Sequence, residues 1–222
     1  MKLGVLFSGG KDSTFATYLA KNKGYEISCL ISIASANKES YMFHTPSIEK
    51  TKKQAGIMNI PIIFQKTEGE KEIELKDLEE AIKKAKEKYN ILGILTGAVE
   101  SVYQASRIQK ICNELNLECF NPLWQKNQIE LLNDLIKNKF KIVVTAVSAY
   151  PLDGSWLGRV INKKFIDEVQ ILNKKYKISP AGEGGEFESF VLNCPLFKRK
   201  LKVKSYKDFG ERNSWRREVE AG

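Results

Sequence analysis

Residues 8–13, with the sequence SGGKDS, concentrate phosphate-binding groups in one short turn. An apolar segment precedes them and a helical pattern follows, so the turn joins a buried strand to the start of a helix. Glycines permit close approach of the backbone to a ligand, and the N–H groups at a helix start attract anions. We predict that a phosphate chain binds at Ser8, Gly9, Gly10, Lys11, Asp12 and Ser13.

The role of Asp12 stays open at this stage. Its carboxylate suits the orientation of the turn or the shell of a bound metal, and it equally suits compensation of the helix dipole in the first turn. The Walker pattern G-x-x-x-x-G-K-[ST] is absent, and the turn does not match G-x-G-x-x-G. The segment therefore predicts a phosphate site of a different type.

A second chemical segment is GEGGEFES at residues 182–189. Its carboxylates, Glu183, Glu186 and Glu188, are interleaved with glycines in a chain that is otherwise basic. Such a cluster could attract a cationic substrate, orient ammonium or supply a general base. The alternative is a solvated acidic turn, which the adjoining apolar FESFVL disfavours. The sequence does not distinguish the roles of the three glutamates.

Other candidates lie elsewhere in the chain. Gln104 and Arg107 are three residues apart on one helix face and could reach phosphate or substrate, or form an exposed polar face. Gly97 ends a predicted strand, where the backbone can lie close to a nucleotide. His44 follows a strand in a polar loop. Trp156 suits either a cation–π wall or ordinary core packing.

The elements that position these residues alternate between strand and helix over residues 2–147. This alternation predicts an α/β fold with a doubly wound, mostly parallel, five-stranded sheet, whose fifth strand is KIVVTAV at 141–147. Thr45 is predicted to cap a helix that starts at Pro46. Ligands bind such sheets beyond the carboxyl ends of the strands. We expect a nucleotide-binding domain at 1–147 and a small C-terminal substrate-recognition annex at 148–222.

Composition limits the class of protein. The 222 residues carry a net charge of +9, and no run approaches the ~20 apolar residues of a membrane helix. The cysteines form no C-x-x-C pair and suggest reduced thiols in a cytoplasmic protein. With one histidine, a zinc or iron–sulfur site is not expected. The basic last 27 residues, including Arg216 and Arg217, predict docking of an anionic macromolecule, or are simply a solvated lysine-rich surface.

SGGKDS resembles the pyrophosphate-binding loop, or PP-loop, of the adenylating ATP pyrophosphatases. These enzymes cleave ATP between the α and β phosphates and place AMP on an acceptor oxygen. Further stretches narrow the acceptor, and in chain order they are MFHTPS, GAVESVYQASRIQKIC, PLW, SWLGR and GEGGEFESFVLNCPLF. Together they are similar to the diphthine–ammonia ligases over residues 3–197, in their short archaeal form. Gln109 departs from the family pattern, in which a glutamate is expected, so Arg107 is the safer assignment in that helix.

The resemblance implies ATP-dependent amidation of the diphthine residue of elongation factor 2 with ammonium. The reaction passes through an acyl-adenylate and gives diphthamide, AMP and pyrophosphate, and Mg²⁺ is the expected cofactor. The expected catalytic residues are Lys11, Asp12, Glu183, Glu186 and Glu188. The expected ATP-binding residues are Ser8, Gly9, Gly10, Lys11, Asp12, Ser13, His44 and Gly97. The expected substrate-binding residues are Gln104, Arg107, Trp156, Gly182, Glu183, Gly184, Gly185, Glu186 and Ser189, and the metal ligands stay unassigned.

Missing residues exclude some neighbouring activities. A glutaminase needs its own cysteine, histidine and a further domain, so free ammonium is the expected nitrogen donor. A tRNA thiolase usually needs paired cysteines, which this chain lacks. The alternatives left are a PP-loop enzyme acting on tRNA or a small metabolite and, more weakly, a non-catalytic nucleotide-binding module. A nucleic-acid partner is not expected, although the basic charge does not exclude one. The sequence does not decide whether the chain forms a homo-oligomer.

Overall fold

The computed structural model describes residues 1–35, 48–68, 70 and 73–222. It divides into two compact units, Met1–Trp124 and Gln125–Gly222, and each is described by itself. His44 and the predicted helix start at Thr45 and Pro46 lie outside the described residues.

The first unit is built on a parallel sheet of five strands in the order β3-β2-β1-β4-β5. The strands are β1 (Lys2–Leu6), β2 (Glu26–Ser35), β3 (Ile62–Thr67), β4 (Gly93–Leu95) and β5 (Glu118–Phe120). β2 and β3 are added on one side of β1, and β4 and β5 are then added on its other side. The carboxyl ends of β1 and β4 therefore form the switch point where α/β sheets bind ligands. The predicted fold class is confirmed.

Helices alternate with these strands, as α1 (Lys11–Asn22), α2 (Thr51–Met58), α3 (Ile73–Tyr89) and α4 (Val102–Glu114). Apolar residues at helical spacing on α3, among them Leu78, Ile82 and Ala85, are fully buried. They share a core cluster with Ile31 of β2 and Ile94 of β4. This shared core packs α3 against the parallel sheet.

The second unit contains an antiparallel sheet of four strands in the order β7-β6-β9-β8. Its elements are α5 (Gln128–Lys137), β6 (Lys141–Val147), α6 (Lys163–Tyr176), β7 (Phe187–Asn193), β8 (Val203–Glu211) and β9 (Ser214–Ala221). β8 and β9 form a hairpin, and β8 is an edge strand of this sheet within the part of the chain that the structure describes.

KIVVTAV, predicted as the fifth parallel strand, is instead β6, which pairs antiparallel with β7 and β9. Its apolar run fits a strand of a parallel sheet, and it fits equally a central strand of an antiparallel sheet when both faces of that sheet are covered. The fifth parallel strand is β5, whose three residues are too few to show a period. The division between the units consequently falls at 124/125, and not at the expected 147/148.

No helix among the described residues is long and apolar enough to cross a membrane.

Candidate active site

The SGGKDS turn lies at the carboxyl end of β1 and leads into α1. The Ser8 and Ser13 hydroxyl oxygens lie 3.1 Å apart, and the Ser8 N–H donates to Ser13 Oγ at 3.3 Å. Gly10 precedes α1 in an extended conformation, and no described side chain caps the helix. The first-turn N–H groups of α1 are therefore available to an anion, as the sequence predicts for this segment.

Gly9 shows why the turn needs a glycine. Its φ is +78°, and a Cβ added there would lie 2.3 Å from Gln54 Oε1. Gln54, on α2, is fully buried, and its Nε2 donates to the Gly9 carbonyl at 3.0 Å. Sequence reasoning missed Gln54. The signal that could have identified it was a glutamine on the apolar face of a helix, where burial is expected.

Gly97 follows β4 and contacts the start of α1. A Cβ there would lie 2.5 Å from the Ser13 nitrogen and 2.7 Å from the Asp12 carbonyl carbon. Because both atoms belong to the backbone, a side chain would push the first turn of α1 out of place. Next to it, the Thr96 hydroxyl donates to the Asn121 side chain and accepts from the Ala98 N–H.

Lys11 and Asp12 form an ion pair within the turn. Lys11 Nζ lies 2.7 Å from Asp12 Oδ2, and the lysine side chain is 5% exposed. Asp12 Oδ1 is buried and has no hydrogen-bond partner among the described residues. A buried carboxylate oxygen that lacks a donor suits Mg²⁺, which prefers oxygen ligands and few of them from protein. The described residues contain no cluster of three or more metal-binding side chains.

On α4, Gln104 and Arg107 lie in the first turns. Ser101 caps this helix, its hydroxyl accepting from the Gln104 N–H at 3.3 Å. The Arg107 guanidinium stacks 3.4 Å from the Tyr103 ring centroid and donates to the Tyr103 carbonyl. Its Nε is buried and lacks a hydrogen-bond partner in the described part of the chain. Stacking fixes the guanidinium while a donor stays available for an anion.

GEGGEFES folds around the Glu186 carboxylate. Glu186 Oε1 accepts from the Ser179 N–H at 2.8 Å, and Oε2 accepts from the Gly184 N–H at 2.9 Å. Gly182 and Gly185 have φ values of +77° and +81°, which favour glycine. Both carboxylate oxygens of Glu186 are thereby committed to the shape of the turn.

The other two glutamates are placed differently. Glu183 is partly exposed, and its N–H donates to Ser179 Oγ at 3.1 Å. Glu188 is partly exposed on β7, opposite Ala146 of β6. Ser189 is buried, opposite Val144. Glu183 and Glu188 are therefore partly open to solvent, whereas Ser189 belongs to the packed part of the sheet.

Trp156 lies in the core of the second unit. It is 7% exposed and meets Phe165 of α6 edge to face at 5.6 Å. The Arg159 guanidinium already lies 4.1 Å from its ring centroid and pairs with Glu168 at 2.6 Å. The packing alternative left open by the sequence is thus the one that the geometry favours over a substrate wall.

The structure brings the phosphate turn, Gly97 and the α4 residues into the first unit, and GEGGEFES and Trp156 into the second. A family model described as the diphthamide synthase N-terminal domain matches residues 1–119, and one described as the C-terminal domain matches residues 127–219. A diphthine–ammonia ligase from Homo sapiens is 34% identical over 227 residues, covering 92% of this chain and 84% of that protein. The chain belongs to the diphthine–ammonia ligase family.

Members of this family differ in length. The diphthine–ammonia ligase of Danio rerio is 31% identical over 90% of this chain and 86% of that protein. The Schizosaccharomyces pombe protein of the same name is 31% identical over 90% of this chain but only 36% of that protein. Length alone therefore does not group this chain with archaeal proteins, since it also spans most of the human and zebrafish ligases.

Among solved structures, one from Methanocaldococcus jannaschii is described as a predicted subunit of tRNA methyltransferase. It aligns with a TM-score of 0.45 and 18% identity over 90% of this chain and 99% of that chain. A score this low carries no argument, and the fold assignment rests on the strand order given above.

Proposed function

We propose that this chain amidates the diphthine carboxylate of elongation factor 2, using ATP and ammonium. The observation that carries the proposal is the uncapped start of α1 behind SGGKDS, at the switch point of the parallel sheet, in a chain of the diphthine–ammonia ligase family. This arrangement suits the pyrophosphate of ATP. The alternative acceptors, tRNA or a small metabolite, have no comparable support.

The first half-reaction activates the carboxylate. A substrate carboxylate oxygen attacks the α-phosphorus of ATP, the bond to the bridging oxygen breaks, and pyrophosphate leaves. The N–H groups of the SGGKDS turn and the Lys11 ammonium stabilise the charge that develops on the departing pyrophosphate. Asp12 Oδ1 would hold Mg²⁺, which, when bound, neutralises phosphate charge. The product is an acyl-adenylate, whose AMP is a good leaving group.

The second half-reaction forms the amide. Ammonium gives up a proton, ammonia attacks the acyl carbon, the carbon–oxygen bond to AMP breaks, and a further proton leaves the new amide nitrogen. We assign the attraction of cations and the acceptance of a proton to Glu183 and Glu188, which are partly exposed. Glu186 acts as a positioning residue, because its oxygens are bonded to backbone N–H groups.

Surface charge and cysteine chemistry support our proposals for the partner and the location. Four cations in residues 198–202, namely Lys198, Arg199, Lys200 and Lys202, are exposed and make no ion pair with any described residue. We name these four the basic strip and assign to it the docking of the protein substrate. All four cysteines are described, and none forms a disulfide, which supports a reducing, cytoplasmic setting.

The deciding experiment separates AMP from ADP after incubation with ATP and Mg²⁺. We expect AMP and pyrophosphate only when diphthine-bearing elongation factor 2 and ammonium are both present, with one amide formed for each AMP. AMP formation with transfer RNA in place of the factor would support the alternative acceptor. Binding of ATP without AMP under every condition would contradict catalysis altogether.

A further inference from the structure

The strand register of the second unit aligns four side chains in one row. Glu188 of β7 lies opposite Ala146 of β6, Ala146 lies opposite Arg216 of β9, and Arg216 lies opposite Phe209 of β8. Residues directly opposite one another in a sheet project from the same face. One row across all four strands therefore carries a carboxylate, a methyl group, a guanidinium and a phenyl ring.

The neighbouring row projects from the other face of the sheet, the face on which α6 packs. In that row Phe187 lies opposite Val147, and Val147 lies opposite Trp215. Phe187 packs edge to face on Phe165 of α6 at 5.5 Å, and Trp215 covers Gly154 so closely that a Cβ there would lie 3.0 Å from its ring. The face of the charged row is packed as well, since Phe190, two residues from Glu188 on β7, and Ala146 are both buried. A carboxylate and a guanidinium at the end of such an apolar face are not explained by packing.

Arg216 has an unmet donor in this row. Its Nε is buried and finds no hydrogen-bond acceptor among the described residues, while its guanidinium lies 5.2 Å from the Phe209 ring centroid. The next residue, Arg217, is fully engaged with Asp208 through two contacts of 2.7 Å. An arginine donor buried without an acceptor is costly, so an acceptor from outside the described chain is expected.

The spacing of the row sets the size of the ligand. Two strand spacings separate the Glu188 and Arg216 Cα atoms by about 10 Å, and both side chains are long enough to reach inward. Ala146 places only a methyl group between them. The gap therefore suits a small group that is cationic at one end and anionic at the other.

We propose that this row is the subsite that recognises the zwitterionic end of diphthine. Glu188 faces the trimethylammonium group, and Arg216 holds the carboxylate that is to be activated. Arg216 is thereby a substrate-binding residue outside GEGGEFES, and a fork of two N–H donors matches a carboxylate. The inference rests on the proposed function, because it takes diphthine as the substrate.

The test uses two small probes on the full chain. Glycine betaine carries both a trimethylammonium group and a carboxylate, whereas tetramethylammonium carries only the cation. Calorimetric titration of the wild type should detect both. Arg216→Gln should lose betaine binding and keep tetramethylammonium binding, and Glu188→Gln should weaken both. The control is Arg212→Gln, which removes the same charge from the exposed turn of the β8–β9 hairpin.

Kinetics supply the second readout. Arg216→Gln should raise the KM for diphthine-bearing elongation factor roughly tenfold to a hundredfold without changing the affinity for ATP. Arg216→Lys keeps the charge but not the fork, so betaine should bind several-fold more weakly. This variant also serves as the test if the glutamine variant does not fold.

Two results would overturn the inference. One is betaine binding to the Arg216 variants with wild-type affinity. The other is loss of ATP binding in those variants, which would assign Arg216 to the nucleotide. Failure of the proposed function is distinguishable, because the wild type would then form no AMP with the modified factor even if both probes bind as expected.

Discussion

Lys11 Nζ lies 2.7 Å from Asp12 Oδ2, so the positive charge of the phosphate turn is paired with its own neighbour. A ligand phosphate must compete with the carboxylate for this ammonium. Binding of a magnesium–nucleotide complex would favour separation, with the carboxylate directed to the metal and the ammonium to the phosphate. The pair thus gives the largely buried ammonium a partner that ligand binding must replace.

Removing either member of the pair should impair AMP formation by different routes. Lys11→Ala removes a phosphate-stabilising charge and should slow AMP formation about a hundredfold. Asp12→Asn should slow it as strongly at saturating Mg²⁺, yet leave ATP binding without Mg²⁺ as tight or tighter, because a repulsive charge is gone. Quenched-flow measurement of AMP and calorimetry of ATP with and without Mg²⁺ check both.

Lys21→Ala is the matched control, since this exposed lysine lies in the last turn of the same helix. It should behave like the wild type. Near-wild-type AMP formation by both Lys11→Ala and Asp12→Asn would remove the turn from the pyrophosphate site.

Gly97→Ala should displace the first turn of α1. The added Cβ would lie 2.5 Å from the Ser13 nitrogen, and backbone cannot yield as a flexible side chain does. We expect ATP affinity to fall at least tenfold, together with a loss of about 1–3 kcal/mol in the free energy of unfolding. Equilibrium urea unfolding and ATP titration measure the two effects.

Gly56→Ala is the control for this substitution, because Gly56 lies in α2 with nothing within 4 Å of an added Cβ. Alanine there should be neutral or stabilise by a few tenths of a kcal/mol up to about 1 kcal/mol. Equal effects at the two glycines would contradict a specific role for the contact between Gly97 and α1.

Glu186→Gln and Glu183→Gln should separate positioning from chemistry. Glutamine at 186 offers one acceptor where the turn needs two, so we expect about 1–2 kcal/mol of destabilisation and loss of amidation. Glu183→Gln should leave thermal stability unchanged and slow amidation, and hydroxylamine should then trap the acyl group as a hydroxamate. If the Glu186→Gln protein is stable and turns over normally, the hydrogen bonds from Ser179 and Gly184 to this side chain are not needed for function.

Cys119 should be the reactive thiol of the native protein. Its hydrogen bond with Cys112 lowers the pKa of Cys119, and Asn121 adds to this, whereas burial raises the pKa values of Cys29 and Cys194 to about 12. More thiolate near neutral pH means faster alkylation. Iodoacetamide followed by peptide mass spectrometry should therefore label Cys119 first, and Cys119→Ser should leave the folded protein nearly unlabelled.

The sequence predicted the parts of this protein that local patterns encode. The SGGKDS turn has a signature within a few residues, the parallel sheet follows from the alternation of strand and helix, and the fold class is confirmed by the strand order. The placement of KIVVTAV had no such signature, because a buried apolar strand looks the same in a parallel and an antiparallel sheet.

The committed oxygens of Glu186 and the contact of Gln54 with Gly9 depend on tertiary geometry that no spacing encodes. The net charge of the sequence likewise indicated a basic C-terminal region, but not which of its cations are exposed and lack ion pairs with described residues. Arg217 is ion-paired with Asp208, and Arg216 is half-buried. The exposed cations of the region lie instead in the basic strip, on β8 and at Arg212 in the hairpin turn, and this distinction requires the structure.

The basic strip should dock the protein substrate and leave ATP binding alone. Its four cations are exposed and lack ion pairs with described residues, so little is lost when they meet an acidic surface. The double variant Lys198→Glu, Lys200→Glu should weaken binding of elongation factor 2 at least tenfold at low salt. The difference from the wild type should shrink at high salt, as screening removes the interaction.

Surface plasmon resonance across a salt series measures this effect. The control is the double variant Lys83→Glu, Lys174→Glu, which changes the net charge equally at exposed sites on α3 and α6. Equal weakening by both variants would mean that net charge, and not the basic strip, attracts the factor; a change confined to ATP affinity would assign the strip to the nucleotide.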